Sequence, residues 1–185
     1  DVDRAGAVLS DGSELNRNRI IAMLSAILLR EHPGTTIVTD SITSTGLAAF
    51  IQKHGGVHHR FKRGYRNVIN ESMRLNREGH DSQLAMETSG HGALKENYFL
   101  DDGAYLVTRL LIELARAKKE GYTLESLIAD LAEPAESKEF RMNILVPDFK
   151  AYGQKIIDEL NVYAASQPGW SVAPDNFEGV RVNLD

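Results

Sequence analysis

The sequence predicts an α/β protein in which helices cover both faces of a largely parallel sheet, followed by a smaller α+β segment. Short apolar segments alternate with amphipathic helical patterns from residue 5 to about residue 119. Strands that alternate with helices of this length are joined by right-handed crossovers, which place helices on both faces of the sheet. After Gly121 the alternation changes, which indicates a second region.

The first elements are a hairpin and a helix. Residues 5–9 are an apolar run that ends in the turn-forming residues 10–13, so we predict a strand and a hairpin. Asn16 is a favourable N-cap, and apolar residues at helical spacing predict a helix over residues 17–30. The Pro-Gly sequence at residues 33–34 ends this helix.

The rest of the first region repeats the strand and helix pattern. Strands are predicted over residues 35–39, 57–62 and 83–86. Helices are predicted after a Ser44 cap, over residues 65–78 and over residues 102–119. Asp101 and Asp102 are favourable near the positive end of the last of these helices.

The second region is predicted to be α+β. Residues 123–132 are expected to form a short helix with Thr123 as its cap, and residues 133–136 a linker. Alternation predicts strands over residues 140–145 and 180–184, with a helix over residues 148–165 between them. Such a piece is too small to bury its apolar faces alone, so it must pack on the first domain or belong to a larger unit.

The composition excludes several classes of function. The 185 residues carry a formal net charge of −5, so we expect no nucleic acid and no anionic membrane as a partner. Cysteine is absent, which excludes disulfides and thiolate chemistry and agrees with a reducing compartment. No signal-peptide pattern or long apolar run is present, and we expect a cytoplasmic protein. The chain starts at Asp1 without a methionine, which suggests a fragment or a processed chain.

The most informative candidate site is the loop after the fourth strand, where Glu87, Ser89 and His91 are close in sequence. Loops at the carboxyl ends of strands are where α/β folds bind ligands. A carboxylate, a hydroxyl and an imidazole suit the hydroxyl groups of a sugar or polyol. The alternative is a polar turn closed by its own side chains, in which Gly90 supplies a positive φ.

A second candidate lies at the start of the chain. Asp1 and Asp3 could converge on a hard cation such as Mg²⁺, with Arg4 beside them. The alternative is a solvated acidic terminus, because Asp-x-Asp is a common sequence.

The single basic cluster covers residues 58–66 and could receive a phosphate. For His58, His59 and Arg60 the commoner explanation is a solvated strand edge, since alternation sends half of such side chains to each face. Arg66 is the better phosphate ligand because it lies at the start of a helix. The sequence contains no Gly-x-Gly-x-x-Gly loop, Walker loop or Gly-x-Ser-x-Gly motif.

Taken together, these motifs resemble the α-D-phosphohexomutase superfamily, the phosphoglucomutase/phosphomannomutase enzymes. The start of the chain resembles the metal loop and hairpin of that family, and Glu87–His91 resembles its Glu-x-Ser-Gly-His sugar-specificity loop. The other matching segments are Asp102-Gly103, Gly64-Tyr65-Arg66 and Glu178-Gly179-Val180-Arg181-Val182.

The resemblance implies a fragment of a four-domain enzyme. Residues 1–10 would end the second domain, which carries the metal loop, and residues 11–135 would be the third, a sugar-recognising α/β/α domain with a mostly parallel mixed sheet. Residues 138–185 would begin the fourth, which resembles the TATA-binding-protein fold. The first metal-loop carboxylate, the phosphoserine loop and the Arg-x-Ser-Gly-Thr phosphate loop would lie outside these 185 residues.

The resemblance also implies the chemistry. The parent enzyme would convert hexose 1-phosphate and hexose 6-phosphate through a phosphoserine and a bisphosphorylated sugar, with Mg²⁺ and a glucose 1,6-bisphosphate-type activator. Asp1 and Asp3 would hold the metal, with Arg4 near the metal and the sugar. Glu87 and Ser89 would hold sugar hydroxyls, with His91 supporting the loop.

We therefore expect this chain to bind sugar phosphate together with the remaining domains of its parent, and to be inactive alone. Two alternatives remain open: a non-catalytic sugar-phosphate binding module, and a phosphatase with Asp1 or Asp3 as its nucleophile.

Overall fold

The alternating pattern of the chain folds into two units, which a computed structural model describes over residues 3–184. The first unit extends to Pro134 and the second begins at Ala135. None of the helices within residues 3–184 is long and apolar enough to cross a membrane.

The first unit opens with a hairpin of β1 (Ala7–Val8) and β2 (Glu14–Leu15), as the turn signal predicted. The strands of its main sheet are β3 (Thr36–Asp40), β4 (Val57–Phe61), β5 (Ser82–Met86) and β6 (Gly92–Leu94). The helices are α1 (Arg17–Glu31), α2 (Thr45–Lys53), α3 (Tyr65–Arg77) and α4 (Gly103–Glu120).

The main sheet has the order β4-β3-β5-β6. Strand β3 pairs in parallel with β4 and β5, and β6 pairs antiparallel with β5. Every residue of β3 and β5 is buried, as expected for strands covered on both faces. The mostly parallel mixed sheet confirms the predicted fold class.

Two separate clusters of apolar side chains form the core, one on each face of the sheet. Neighbouring residues of β3 divide between them: Ile37 packs in the cluster with α1, α2 and α4, and Val38 in the cluster with α3. Successive strand side chains point to opposite faces, so a strand that is buried on both faces contributes to both clusters. The first unit is therefore a three-layer α/β/α arrangement.

The structure corrects three local predictions in the first unit. Strand β6 was not predicted, because its three residues are too few to show a period. Asn16 occupies the N-cap position of α1, but its amide group donates to Glu14 Oε2 at 2.5 Å instead of capping the helix. Residues 123–132 contain only a 3₁₀ helix, Glu125–Ile128, although Thr123 Oγ1 does accept from the Ser126 amide.

The second unit contains α5 (Phe149–Ser166), which Asp148 caps by accepting from the Ala151 amide at 3.1 Å. Strands β7 (Trp170–Val172) and β8 (Val182–Leu184) form a small antiparallel sheet. The predicted last strand is thus confirmed as β8.

The strand predicted over residues 140–145 is wrong. This segment has no regular secondary structure, and its alternating side chains Phe140 and Met142 are 74% and 87% exposed. A strand needs a neighbour for its backbone groups, and no strand among residues 3–184 pairs with this segment. The alternating sequence is able to form a strand, but the described residues offer it no strand partner.

Candidate functional site

The candidate site lies where three parallel strands end. Strands β3, β4 and β5 end at Asp40, Phe61 and Met86, and the carboxyl ends of parallel strands meet at one edge of a sheet. This edge is where open α/β sheets bind ligands. The loop between β5 and β6 at this edge is residues 87–91, which we call the sugar loop after the family motif that its sequence resembles.

Glu87 anchors the sugar loop to the start of α3. It is only 6% exposed. Its Oε1 accepts from the Gly64 amide at 2.5 Å, and its Oε2 accepts from Ser89 Oγ at 3.2 Å. A carboxylate has about four acceptor positions, so these two bonds leave capacity for a ligand on the side of the exposed Ser89.

The backbone of the sugar loop is closed on itself. The Glu87 amide donates to the His91 carbonyl at 2.9 Å, and Gly90 has a φ of +99°. The Gly90 carbonyl accepts from the Ala5 amide at 2.9 Å, which ties the loop to the start of the chain. The turn expected under the alternative interpretation is thus present, and a preformed loop is equally what ligand binding requires.

Sequence reasoning did not identify Asp40, which holds the middle of the sugar loop. Asp40 is 1% exposed. Its Oδ1 accepts from the Thr88 amide at 3.3 Å and its Oδ2 from Thr88 Oγ1 at 2.7 Å. Burial raises the pKa of the Asp40 carboxyl above its ordinary value, and the charge of Glu87 raises that pKa further. The available signal was an acid directly after a predicted buried strand.

His91 is held by Asp101 and Tyr65. The His91 Nδ1 lies 2.8 Å from Asp101 Oδ2, and Asp101 Oδ1 accepts from the Gly92 amide at 3.1 Å. The rings of Tyr65 and His91 stack with centroids 5.0 Å apart. The sequence analysis treated Asp101 only as a favourable charge near a helix start. The structure gives the capping role to Asp102, which accepts from the Tyr105 amide.

Arg66 reaches the same group of side chains through Tyr65. Its Nε donates to the Tyr65 hydroxyl at 3.1 Å, and its guanidinium carbon lies 5.6 Å from the centre of the Tyr65 ring. Arg66 is exposed, so its remaining donors face solvent. Tyr65 therefore joins Arg66 to His91, a connection that the sequence analysis missed.

His58, His59 and Arg60 lie on the edge strand β4, as predicted, but they are half-buried and contact neighbouring elements of their own domain, so they are not a solvated edge. His58 Nε2 lies 2.8 Å from Thr39 Oγ1, and His59 Nε2 lies 2.9 Å from Glu71 Oε1. Arg60 donates to the Ser44 carbonyl at 2.9 Å.

The start of the chain lies against the sugar loop. Arg4 forms an antiparallel bridge with His91. The Arg4 backbone also packs on Gly103, where an added Cβ would be 2.5 Å from the Arg4 carbonyl oxygen. The structure thus brings Asp3 and Arg4 together with the sugar loop. Asp1, the other predicted metal ligand, lies outside the described residues.

The donor set around Asp3 fits a divalent cation. Asp3 Oδ1 is buried and has no hydrogen-bond partner among residues 3–184. Donor atoms of Asp3, His91 and Asp101 lie within 4.8 Å of one another. A buried carboxylate oxygen without a donor is the kind of ligand that Mg²⁺ accepts. Asp3 is therefore compatible with the predicted metal role.

Comparisons with known proteins agree with this geometry. Residues 16–134 match the family described as phosphoglucomutase/phosphomannomutase, alpha/beta/alpha domain III. The chain is 29% identical over 185 residues to a phosphoglucomutase of Neisseria meningitidis serogroup A, covering 100% of this chain and 37% of that protein. It is 30% identical to a phosphomannomutase/phosphoglucomutase of Pseudomonas syringae pv. tomato, covering 99% of this chain and 36% of that protein.

A solved structure gives the same result. The X-ray structure of a phosphoglucomutase/phosphomannomutase family protein from Burkholderia thailandensis matches with a TM-score of 0.76 and 28% identity, covering 100% of this chain and 36% of that one. The chain spans about 37% of the length of the Neisseria relative. The family match covers well over half of the chain and includes the whole main sheet with its sugar loop. The chain therefore belongs to the phosphoglucomutase/phosphomannomutase family.

Proposed function

We propose that this chain is the sugar-recognising part of a phosphohexomutase. The complete enzyme would interconvert hexose 1-phosphate and hexose 6-phosphate of glucose, mannose or both. The observation that carries the proposal is the preformed sugar loop, in which Glu87 is anchored by the Gly64 amide and Ser89 is exposed. Membership of the family supports the reaction class. The position of the sugar loop at the carboxyl edge of the sheet supports its role in ligand recognition.

Within this proposal, Glu87 and Ser89 would bind sugar hydroxyls. The free acceptor positions of Glu87 Oε2 lie next to Ser89 Oγ, so neighbouring sugar hydroxyls could donate to the carboxylate and to the serine oxygen, whose single proton is donated to Glu87. His91 supports the loop and is held in one orientation by Asp101. Arg66 is an exposed cation beside this loop and would contact the phosphate of the ligand.

The metal-binding part of the proposal rests on Asp3 and, in the undescribed start of the chain, Asp1. The unpartnered oxygen of Asp3 would hold Mg²⁺, and Arg4 would lie beside the metal and the sugar. When bound, Mg²⁺ supplies positive charge that stabilises a transferring phosphoryl group. The phosphoserine, and the site for a glucose 1,6-bisphosphate-type activator, would come from the remaining domains of the parent chain.

Calorimetric titration of the 185-residue chain with glucose 6-phosphate and mannose 6-phosphate tests this proposal. We expect binding by the wild-type chain and about a fivefold loss of affinity in Ser89→Ala, because one hydrogen bond to the ligand is worth about 1 kcal/mol. Glu120→Ala is the matched control, since Glu120 is an exposed residue at the end of α4. Absence of binding by the wild-type chain would refute sugar recognition by this chain.

A coupled assay of glucose 1-phosphate conversion separates the roles of the chain and its parent. We expect no conversion by the chain alone with Mg²⁺ and glucose 1,6-bisphosphate, and conversion when the sequence is part of its complete parent. Conversion by the chain alone would contradict the proposed dependence on other domains. Binding without any activity of the parent would favour the non-catalytic binding module.

A further inference from the structure

The sugar loop is supported by a buried acid at the end of the neighbouring strand β3. Asp40 ends β3, the strand paired with both β4 and β5. Its two carboxylate oxygens accept from the amide and the hydroxyl of Thr88, the residue between Glu87 and Ser89. A two-point contact to one residue restrains both its backbone and its side chain.

We propose that Asp40 is a positioning residue for sugar recognition. It holds Thr88 so that Glu87 and Ser89 are already in their ligand-binding positions before a ligand binds. This inference rests on the proposed sugar-binding role of the sugar loop. Asp40 itself, at 1% exposure, would make no contact with the ligand.

Stability does not explain an acid at this position. Burial of a carboxylate costs free energy, and the raised pKa of Asp40 shows that its environment disfavours the charge. The Glu87 carboxylate nearby adds repulsion, which Arg63 partly offsets. What the acid provides is two acceptors in a fixed place, and the Thr88 amide and hydroxyl are the donors that use them.

The contact also complements the other restraints on the loop. The Gly64 amide holds the side chain of Glu87, and the Ala5 amide holds the carbonyl of Gly90. Asp40 restrains Thr88, between these two attachment points. Without Asp40 the loop would keep its ends while its middle, which includes Ser89, could move. Preorganisation of this kind raises affinity by reducing the ordering cost of binding.

Hydrogen exchange and titration of the 185-residue chain test the inference together. In Asp40→Ala we expect the Thr88 amide to exchange at least about tenfold faster and the affinity for glucose 6-phosphate to fall about tenfold, from the loss of charge-assisted hydrogen bonds. Asp40→Asn retains an acceptor for the amide and a donor for the hydroxyl, so it should preserve both properties. A Thr88 amide that stays as protected in Asp40→Ala as in the wild type would overturn the inference.

Ile37→Ala is the matched control on the same strand. Ile37 is fully buried and packs in the apolar cluster on the face of the sheet opposite to Val38 and Asp40. We expect Ile37→Ala to lower stability while leaving Thr88 protection and sugar affinity unchanged. An equal loss of affinity in Ile37→Ala would show that general destabilisation, and not the Asp40 contact, weakens binding, and would overturn the inference.

A second pair of variants decides the question if Asp40→Ala does not fold. Thr88→Ser keeps the hydroxyl that contacts Asp40 Oδ2, and Thr88→Val replaces it with a methyl group of equal size. We expect near wild-type affinity for Thr88→Ser and weaker binding for Thr88→Val, and equal affinities would contradict the inference. If the wild-type chain binds no sugar phosphate, the proposed function fails, while the exchange data still decide whether Asp40 holds Thr88.

Discussion

Gly90 provides the sharpest test of how the sugar loop packs on the start of the chain. Its φ is +99°, and a Cβ at this position would lie 2.8 Å from the Ala5 carbonyl oxygen. Gly90→Ala therefore imposes backbone strain of about 1–2 kcal/mol and a steric overlap of about 1–3 kcal/mol. We expect a total loss of about 2–5 kcal/mol in the free energy of unfolding.

Gly12 separates the two terms. It also has a positive φ, +83°, but an added Cβ would have no heavy atom within 4 Å. Gly12→Ala should therefore cost only the backbone strain of about 1–2 kcal/mol. The difference between the two variants measures the packing of the sugar loop against Ala5.

The assay is urea unfolding followed by far-ultraviolet circular dichroism, together with titration by glucose 6-phosphate. We expect Gly90→Ala to be less stable than Gly12→Ala by at least about 1 kcal/mol and to bind the sugar more weakly. Ala5 must move to admit the Cβ, which strains its 2.9 Å hydrogen bond to the Gly90 carbonyl. Equal losses of unfolding free energy in the two variants would refute the reasoning. They would show that Ala5 can move away from the added Cβ at no cost in stability.

Two further predictions concern buried carboxylates. Glu113 is 1% exposed and bonds to Arg30 and Tyr122 at 2.6 and 2.5 Å; burial opposes its charge, but these bonds lower its pKa below the ordinary value. Glu113→Gln should therefore lower the free energy of unfolding by about 2–3 kcal/mol at pH 7. The difference in free energy of unfolding between the wild type and this variant, measured by urea unfolding, should narrow as the pH falls through the lowered pKa of Glu113. An ionised Asp101 carboxylate can only accept a hydrogen bond, so it favours the His91 tautomer that is protonated at Nδ1. Asp101→Asn should weaken this preference, and unchanged ¹⁵N chemical shifts of His91 would contradict this role for Asp101.

Local patterns in the sequence were sufficient for most of the fold. The caps Ser44 and Asp102 both accept from helix amides as predicted, because a capping interaction spans only three residues. The buried strands β3 and β5 were visible as short apolar or β-branched segments between helices. The two failures among the strands, β6 and the segment at residues 140–145, concern elements whose existence depends on a distant partner. Two local predictions also failed: Asn16 does not cap α1, and residues 123–132 contain only a 3₁₀ helix.

The candidate site divides in the same way. Glu87, Ser89 and His91 were identifiable because they are close in sequence on one loop. Asp40 was not, because its partner Thr88 is 48 residues away. Asp101 was assigned to a helix end, since nothing local indicated that its carboxylate would face His91.

The sequence by itself determined the alternation of strands and helices, the helix caps Ser44, Asp102 and Asp148, and the polar composition of the sugar loop. Each of these depends on interactions between residues a few positions apart. The tertiary structure alone decided that Asp40, Gly64 and Glu87 meet at one edge and that Asp3 lies beside His91 and Asp101. The physical reason is the strand order β4-β3-β5-β6. This strand order depends on how the helices cover both faces of the whole sheet. The periodicity of a single strand does not indicate which strands lie next to it.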